Sequence, residues 1–229
     1  MDVGTLPASV SAALVALAPD AGPELHRAEL QRIHAAWAEP HRAYHTLRHL
    51  TEMLEALEEL ACAGELDDDA LPVARVAAAY HDVRYDPRAA PGSNEHRSAA
   101  LARDHLHRLG ADPADVDVVE ALVLLTVDHD PGAVRGLLGR ERLRDAFSDA
   151  DLWILGAPAT RYAAYARSVR AEYAHVPTAT FRTARAAVLR TLLDRHALYA
   201  TAHARRAWED RARTNVAGEI AALTTEGPS

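Results

Sequence analysis

Lysine is absent from this chain, so all 25 basic residues are arginine. With its abundant alanine, that usage matches a genome rich in G and C and suggests a bacterial source. Aromatic residues are scarce too, at 5%. A core with so few rings must be built from Ala, Leu and Val, and Ala and Leu favour helix over strand. The single cysteine, Cys62, excludes an internal disulfide and fits a reducing cytoplasm. No apolar run reaches the length needed to cross a bilayer. The opening "MDVGTLPASVSAALVALAPDAG" has no basic residue ahead of its short apolar run, and Pro and Asp soon interrupt it. It reads as a short packing helix rather than a secretion signal. A cytoplasmic protein is expected.

An excess of positive charge is also missing. The 229 residues carry a formal net charge of −8. A surface of that sign argues against nucleic acid polymers and anionic membranes as partners. A small anionic substrate stays compatible, since it needs only a local cluster of arginines.

What the chain does contain is one helical pattern after another, with few credible strands. Gly22-Pro23 opens a helix to about Trp37. Thr46 is placed to cap a helix to about Ala63, whose Leu47, Leu50, Leu54, Leu57 and Ala61 share a face. Gly64 ends it. A third helix, about Ala70 to Arg84, has no charge from Val76 to Tyr80 and so reads as buried on all sides. "YDPRAAPGSN" is a loop, with Ser93 or Asn94 capping a helix that ends at Gly110. Asp112-Pro113 opens a fifth helix to about His129, broken by Pro131-Gly132. A sixth covers about Arg140 to Leu155, and three more follow Gly156-Ala157-Pro158, the last ending near Leu223. The economical reading is one all-α domain over 1–229. Its C-terminal helices, about 159–223, pack on the rest or form an oligomer surface, which leaves a homo-oligomer open.

Three fragments carry possible chemistry. "YHTLRHL" sets His45 and His49 four residues apart, on one side if both are helical. His45 can instead sit in the preceding loop, and among 13 histidines a capping or surface pair is the ordinary alternative. "AAYHDVRYD" places His81-Asp82 at the end of the apolar helix. Burying that pair is costly unless each finds a partner, and a divalent cation is one such partner. A solvated helix end is the commoner reading of the dipeptide alone. In "FSDADLWILG", Asp151 shares a face with Phe147 and Leu155, whereas Asp149 lies on another. A carboxylate on an apolar stripe is the better ligand candidate. Together, three separated helices would bring His, His-Asp and Asp to one point.

In that order, the fragments resemble the signature of the HD superfamily of metal-dependent phosphohydrolases. The chain looks especially like a bacterial subgroup of predicted HD phosphohydrolases with "YHT…H", "HD…Y", "NE…SA" and "DADL…ILG", over about residues 25 to 220. More distantly, "YHTLRH", "HDV", "PGSN" and "ADLW" are similar to segments of cyclic-nucleotide phosphodiesterases, although "RYDPRAA" is inserted before "PGSN". The resemblance implies an HD-domain helical bundle, with His49, His81, Asp82 and Asp151 as ligands of a divalent metal (Mn, Fe, Zn, Co or Mg). A second metal would be bridged by Asp82. It implies hydrolysis of a small phosphorylated substrate by metal-activated water, with His45 as general acid. Arg48, Arg84 and Arg97 lie near the motifs and are candidates to clamp phosphate, each with a surface ion pair as its ordinary alternative. Asn94 lies in the matched "PGSN". Glu95 and His129 are candidates to shape the substrate site, and Glu95 is also the expected acid partner of His45. Two rivals remain: an HD-type di-iron oxygenase, for which Asn94 replaces an expected His with His96 close by, and a non-catalytic metal-binding module.

Overall fold

The computed structural model describes residues 5–129 and 135–225, and among these it is all-α. Eleven α-helices run in order: α1 Ala8–Leu17, α2 Pro23–Trp37, α3 Leu47–Cys62, α4 Leu71–Tyr80, α5 Ser93–Leu109, α6 Pro113–Leu125, α7 Glu141–Asp151, α8 Ala159–Glu172, α9 Thr178–Leu193, α10 Ala202–Ala207 and α11 Glu209–Thr225. Short 3₁₀ turns cover 135–137 and 152–156. The expected break at Pro131-Gly132 lies outside the described residues. No described helix is long and apolar enough to cross a membrane.

α4 is the hub. Its stretch from Val76 to Tyr80 is at most 1% exposed, because α1, α3, α5, α6 and α7 all pack against it. Helices surrounded this way need small side chains on several faces, which the run of alanines supplies. α3 buries Leu47, Leu50, Leu54 and Leu57, and each such side chain stabilises by roughly 1.5–3 kcal/mol. Polar ties supplement the packing. Glu29 of α2, 2% exposed, accepts hydrogen bonds from Tyr80 of α4 and His105 of α5. α11 packs on α8, α9 and the 152–156 turn. Gly156 is required there, since a Cβ would lie 2.7 Å from Trp208 Cβ.

Several expected boundaries shift. α4 stops at Tyr80, so His81 is its C-cap and Asp82 lies beyond it. α6 stops at Leu125, and His129 sits past the helix at φ 54°, a left-handed conformation. The sixth expected helix is divided at Asp151 into α7 and the 3₁₀ turn. Neither Ser93 nor Asn94 caps α5. Gly92 takes the N-cap position at φ 75°, and the Asn94 amide instead holds the preceding loop by bonding both N–H and C=O of Asp86. Asp112 does cap α6, accepting from Ala114 N at 2.8 Å, with Pro113 in the first turn.

Candidate metal centre

The three fragments meet where helix ends converge on one side of the hub. His49 comes from the first turn of α3, His81 and Asp82 from the end of α4, and Asp151 from the last residue of α7. His49, His81 and Asp82 offer ligand atoms within 4.8 Å of one another, a set that could hold a metal ion. Asp151 joins through the histidines, with Oδ1 3.1 Å from His49 Nε2 and 3.5 Å from His81 Nε2. Asp82 Oδ2 is 3.1 Å from His81 Nε2.

The two rings are oriented from behind. His81 Nδ1 donates to Ala78 O at 2.7 Å, and His49 Nδ1 lies 3.1 Å from the Tyr44 hydroxyl. Both Nε2 atoms therefore face the cluster, 3.1 Å apart. Two imidazoles and two carboxylates share this nearly buried spot, and the set calls for positive charge among them, a proton on His81 or a metal cation. The fields agree. Burial opposes charge on Asp82, Asp151 and His81, but their mutual attraction prevails. Asp82 and Asp151 are held well below the usual carboxylate range by the facing imidazoles. His81 is pushed up to about 9 because the charges of Asp82 and Asp151 outweigh its desolvation. This donor set, mixed nitrogen and oxygen, suits a first-row divalent cation.

His45 is not part of α3. It lies in the preceding turn, and its Nε2 is 3.9 Å from Asp82 Oδ2. Its partner is Glu172, not Glu95. Glu172 Oε2 accepts from His45 Nδ1 at 2.8 Å and from the Tyr85 hydroxyl at 2.8 Å. Glu172 Oε1 accepts the backbone N–H groups of Ala43, Tyr44 and His45 at 2.8, 2.8 and 3.0 Å. One buried carboxylate thus fixes both the histidine and the loop that carries it. Burial lowers the His45 pKa, but the charges of Asp82 and Glu172 raise it by more. Tyr85 stacks on the His45 ring at 4.0 Å. Beneath them the buried Arg42 donates to the carbonyls of His45, Asp82 and Val83 at 3.1, 2.8 and 3.3 Å. It buckles the two motif segments together.

A cavity of about 400 Å³ opens onto the cluster. Glu95 and His129 line it. His129 Nε2 is 3.4 Å from Asp151 Oδ2 and its Nδ1 is 3.0 Å from Ser148 Oγ. The expected clamp residues are elsewhere. Arg48 is exposed and pairs with Glu52 one turn along α3. Arg84 is exposed and off the cavity. Arg97 bonds Ser93 O and Asn94, and Asn94 is occupied with the loop. The arginines on the cavity wall are Arg185 and Arg195, from α9 and just after it. No motif marked them, nor Glu172 or Arg42. Their positions follow from how distant helices pack, which spacing does not encode. Asp149 is also accounted for. It is 1% exposed and accepts from Ala200 N and Thr201 N at 2.8 and 2.7 Å, so it anchors the segment before α10.

Comparison of the chain with protein-family models, curated proteins and solved structures finds no match.

Proposed function

We propose that this chain is a metal-dependent phosphohydrolase of the HD type, acting on a small phosphorylated molecule. The observation that carries the reading is the convergence of His49, His81 and Asp82 within 4.8 Å at the floor of a cavity. The motif resemblance supplies the reaction class. In this reading His49, His81, Asp82 and Asp151 hold one or two divalent ions. When bound, the metal supplies Lewis acidity toward a phosphoryl oxygen and lowers the pKa of water toward 7. Tyr44 and the Ala78 carbonyl orient the two imidazoles. His45, whose charged form Asp82 and Glu172 favour, faces the open side and donates a proton to the departing alkoxide.

The oxygenase alternative has less support. It calls for histidine where Asn94 stands, and the nearby His96 is exposed and off the cavity. The test is hydrolysis of chromogenic phosphomonoesters and phosphodiesters by protein loaded in turn with Mn²⁺, Co²⁺, Mg²⁺, Zn²⁺ and Fe²⁺, with metal content measured alongside. Asp82→Ala is expected to lose both metal and turnover. Full metal occupancy with unchanged turnover in that variant would overturn the proposal. Metal binding without any phosphoester hydrolysis would favour a binding module.

A further inference from the structure

We infer that the organic group of the substrate is apolar and lies along Val127, Val188 and Leu192, where the cluster cavity opens to solvent. The inference rests on the phosphohydrolase reading above, which seats the phosphoryl end on the metal cluster at the floor. Whatever the phosphoryl carries must then run outward along the walls of this cavity of about 400 Å³, a size that suits a small molecule. Val127 follows α6, Val188 and Leu192 lie one turn apart on α9, and all three line the cavity. Val127 is 42% and Val188 55% exposed. Five large apolar side chains are exposed among the described residues, and two of the five stand on this one opening. Val15, Leu25 and Leu138 lie off it.

Folding does not account for Val188. A β-branched side chain is a weaker helix former than alanine, and one left more than half exposed buries little. A single exposed valine needs no explanation. Two around one opening, with half-buried Leu152 and Leu192 on the same cavity, make an apolar wall beside the reaction site. Several polar groups nearby are already engaged. Arg185 holds Glu219 through Nε at 2.9 Å and the Tyr165 hydroxyl through Nη2 at 2.8 Å. Thr126 and Thr191 donate their hydroxyls back to Val123 O and Ala187 O at 2.8 and 3.2 Å. Arg195 and Asp128 keep one stretch of the wall polar. An alkyl or aryl group would take valine and leucine surface out of water here, whereas a sugar would set its hydroxyls against apolar carbon.

The experiment uses metal-loaded protein and primary alkyl phosphates from ethyl to hexyl, whose leaving groups share nearly the same basicity. Differences in kcat/KM then report contact with the alkyl chain rather than chemistry. kcat/KM is expected to rise by about two- to fourfold per added methylene, carried mainly by KM. Dissociation constants of the matching alkylphosphonates, which are not hydrolysed, should fall by the same factor in titration calorimetry. The gradient should flatten in Val188→Ser and Val127→Ser and persist in Val15→Ser, which alters an exposed valine of α1 off the cavity. A gradient absent from the wild type, unchanged in both cavity variants, or flattened equally in Val15→Ser would overturn the inference. Hydrolysis without a gradient leaves the phosphohydrolase reading standing. A gradient in phosphonate affinity with no turnover of any ester keeps the apolar site and overturns that reading. A wild-type dimer that Val188→Ser converts to monomer, with the gradient unchanged, would assign the face to a second copy of the chain and overturn the inference. The wild-type series decides the matter even if Val127→Ser fails to fold.

Discussion

Replacing Glu172 by Gln removes one charge from the hub behind His45 while keeping the shape of the side chain. Burial alone would raise the Glu172 pKa. The His45 hydrogen bond and charge, with the N–H groups of Ala43 and Tyr44, instead bring it from an ordinary 4.5 down to about 2. A shift of a little over two units corresponds to about 3 kcal/mol favouring the ionised form in the fold. Glu172 is 5% exposed, so solvent screens little of this. The folded pKa lies below the unfolded one. The contribution is therefore complete above the unfolded value, near pH 4.5, and is lost as pH falls toward 2. Gln has one acceptor oxygen in place of two. If that oxygen keeps the three backbone N–H groups, its amide N–H₂ confronts the Tyr85 hydroxyl and His45 Nδ1, and His45 must move its proton to Nε2. Urea unfolding at pH 7 should show Glu172→Gln less stable by about 2–3 kcal/mol. At pH 3 to 4 the gap should narrow, because the unfolded wild type then takes up a proton that the folded Glu172 does not. A gap under about 0.5 kcal/mol at pH 7, or one that does not change with pH, would refute the assignment of Glu172 as an ionised hub.

Asp149 and Asp151, two residues apart, should separate cleanly. Asp149→Ala leaves two backbone N–H groups without an acceptor and should cost about 2–4 kcal/mol in thermal unfolding. Asp151→Ala should lower metal content in elemental analysis with a smaller loss of stability. Gly156→Ala should destabilise by about 1–3 kcal/mol by overpacking against Trp208, read as a drop in Tm. His45→Asn should retain metal yet slow turnover by about 10²-fold or more for poor leaving groups, and less for nitrophenolate. Equal loss across leaving groups would remove the acid role.

The local pattern of this chain was enough to settle its helical class and several of its ends. Scarce rings and plentiful Ala and Leu dictate helix. The charge-free run in α4 marks the buried hub, and Asp112-Pro113 marks the start of α6, because caps and periodicity are local physics. Asp151 faces His49 and Asp149 the segment before α10, but Asp149 is the more buried of the two and α7 ends before Leu155, so the apolar stripe that set them apart in the sequence is not what separates them. Tertiary packing decided the rest. Glu172 reaches His45 across 127 residues, and Arg185 and Arg195 reach the cluster cavity from α9 and just after it. The arginines near the motifs in sequence turn away, Arg48 to Glu52 and Arg97 to Asn94. A side chain's partner depends on which helix ends arrive beside it, and that depends on how all the apolar faces are buried at once.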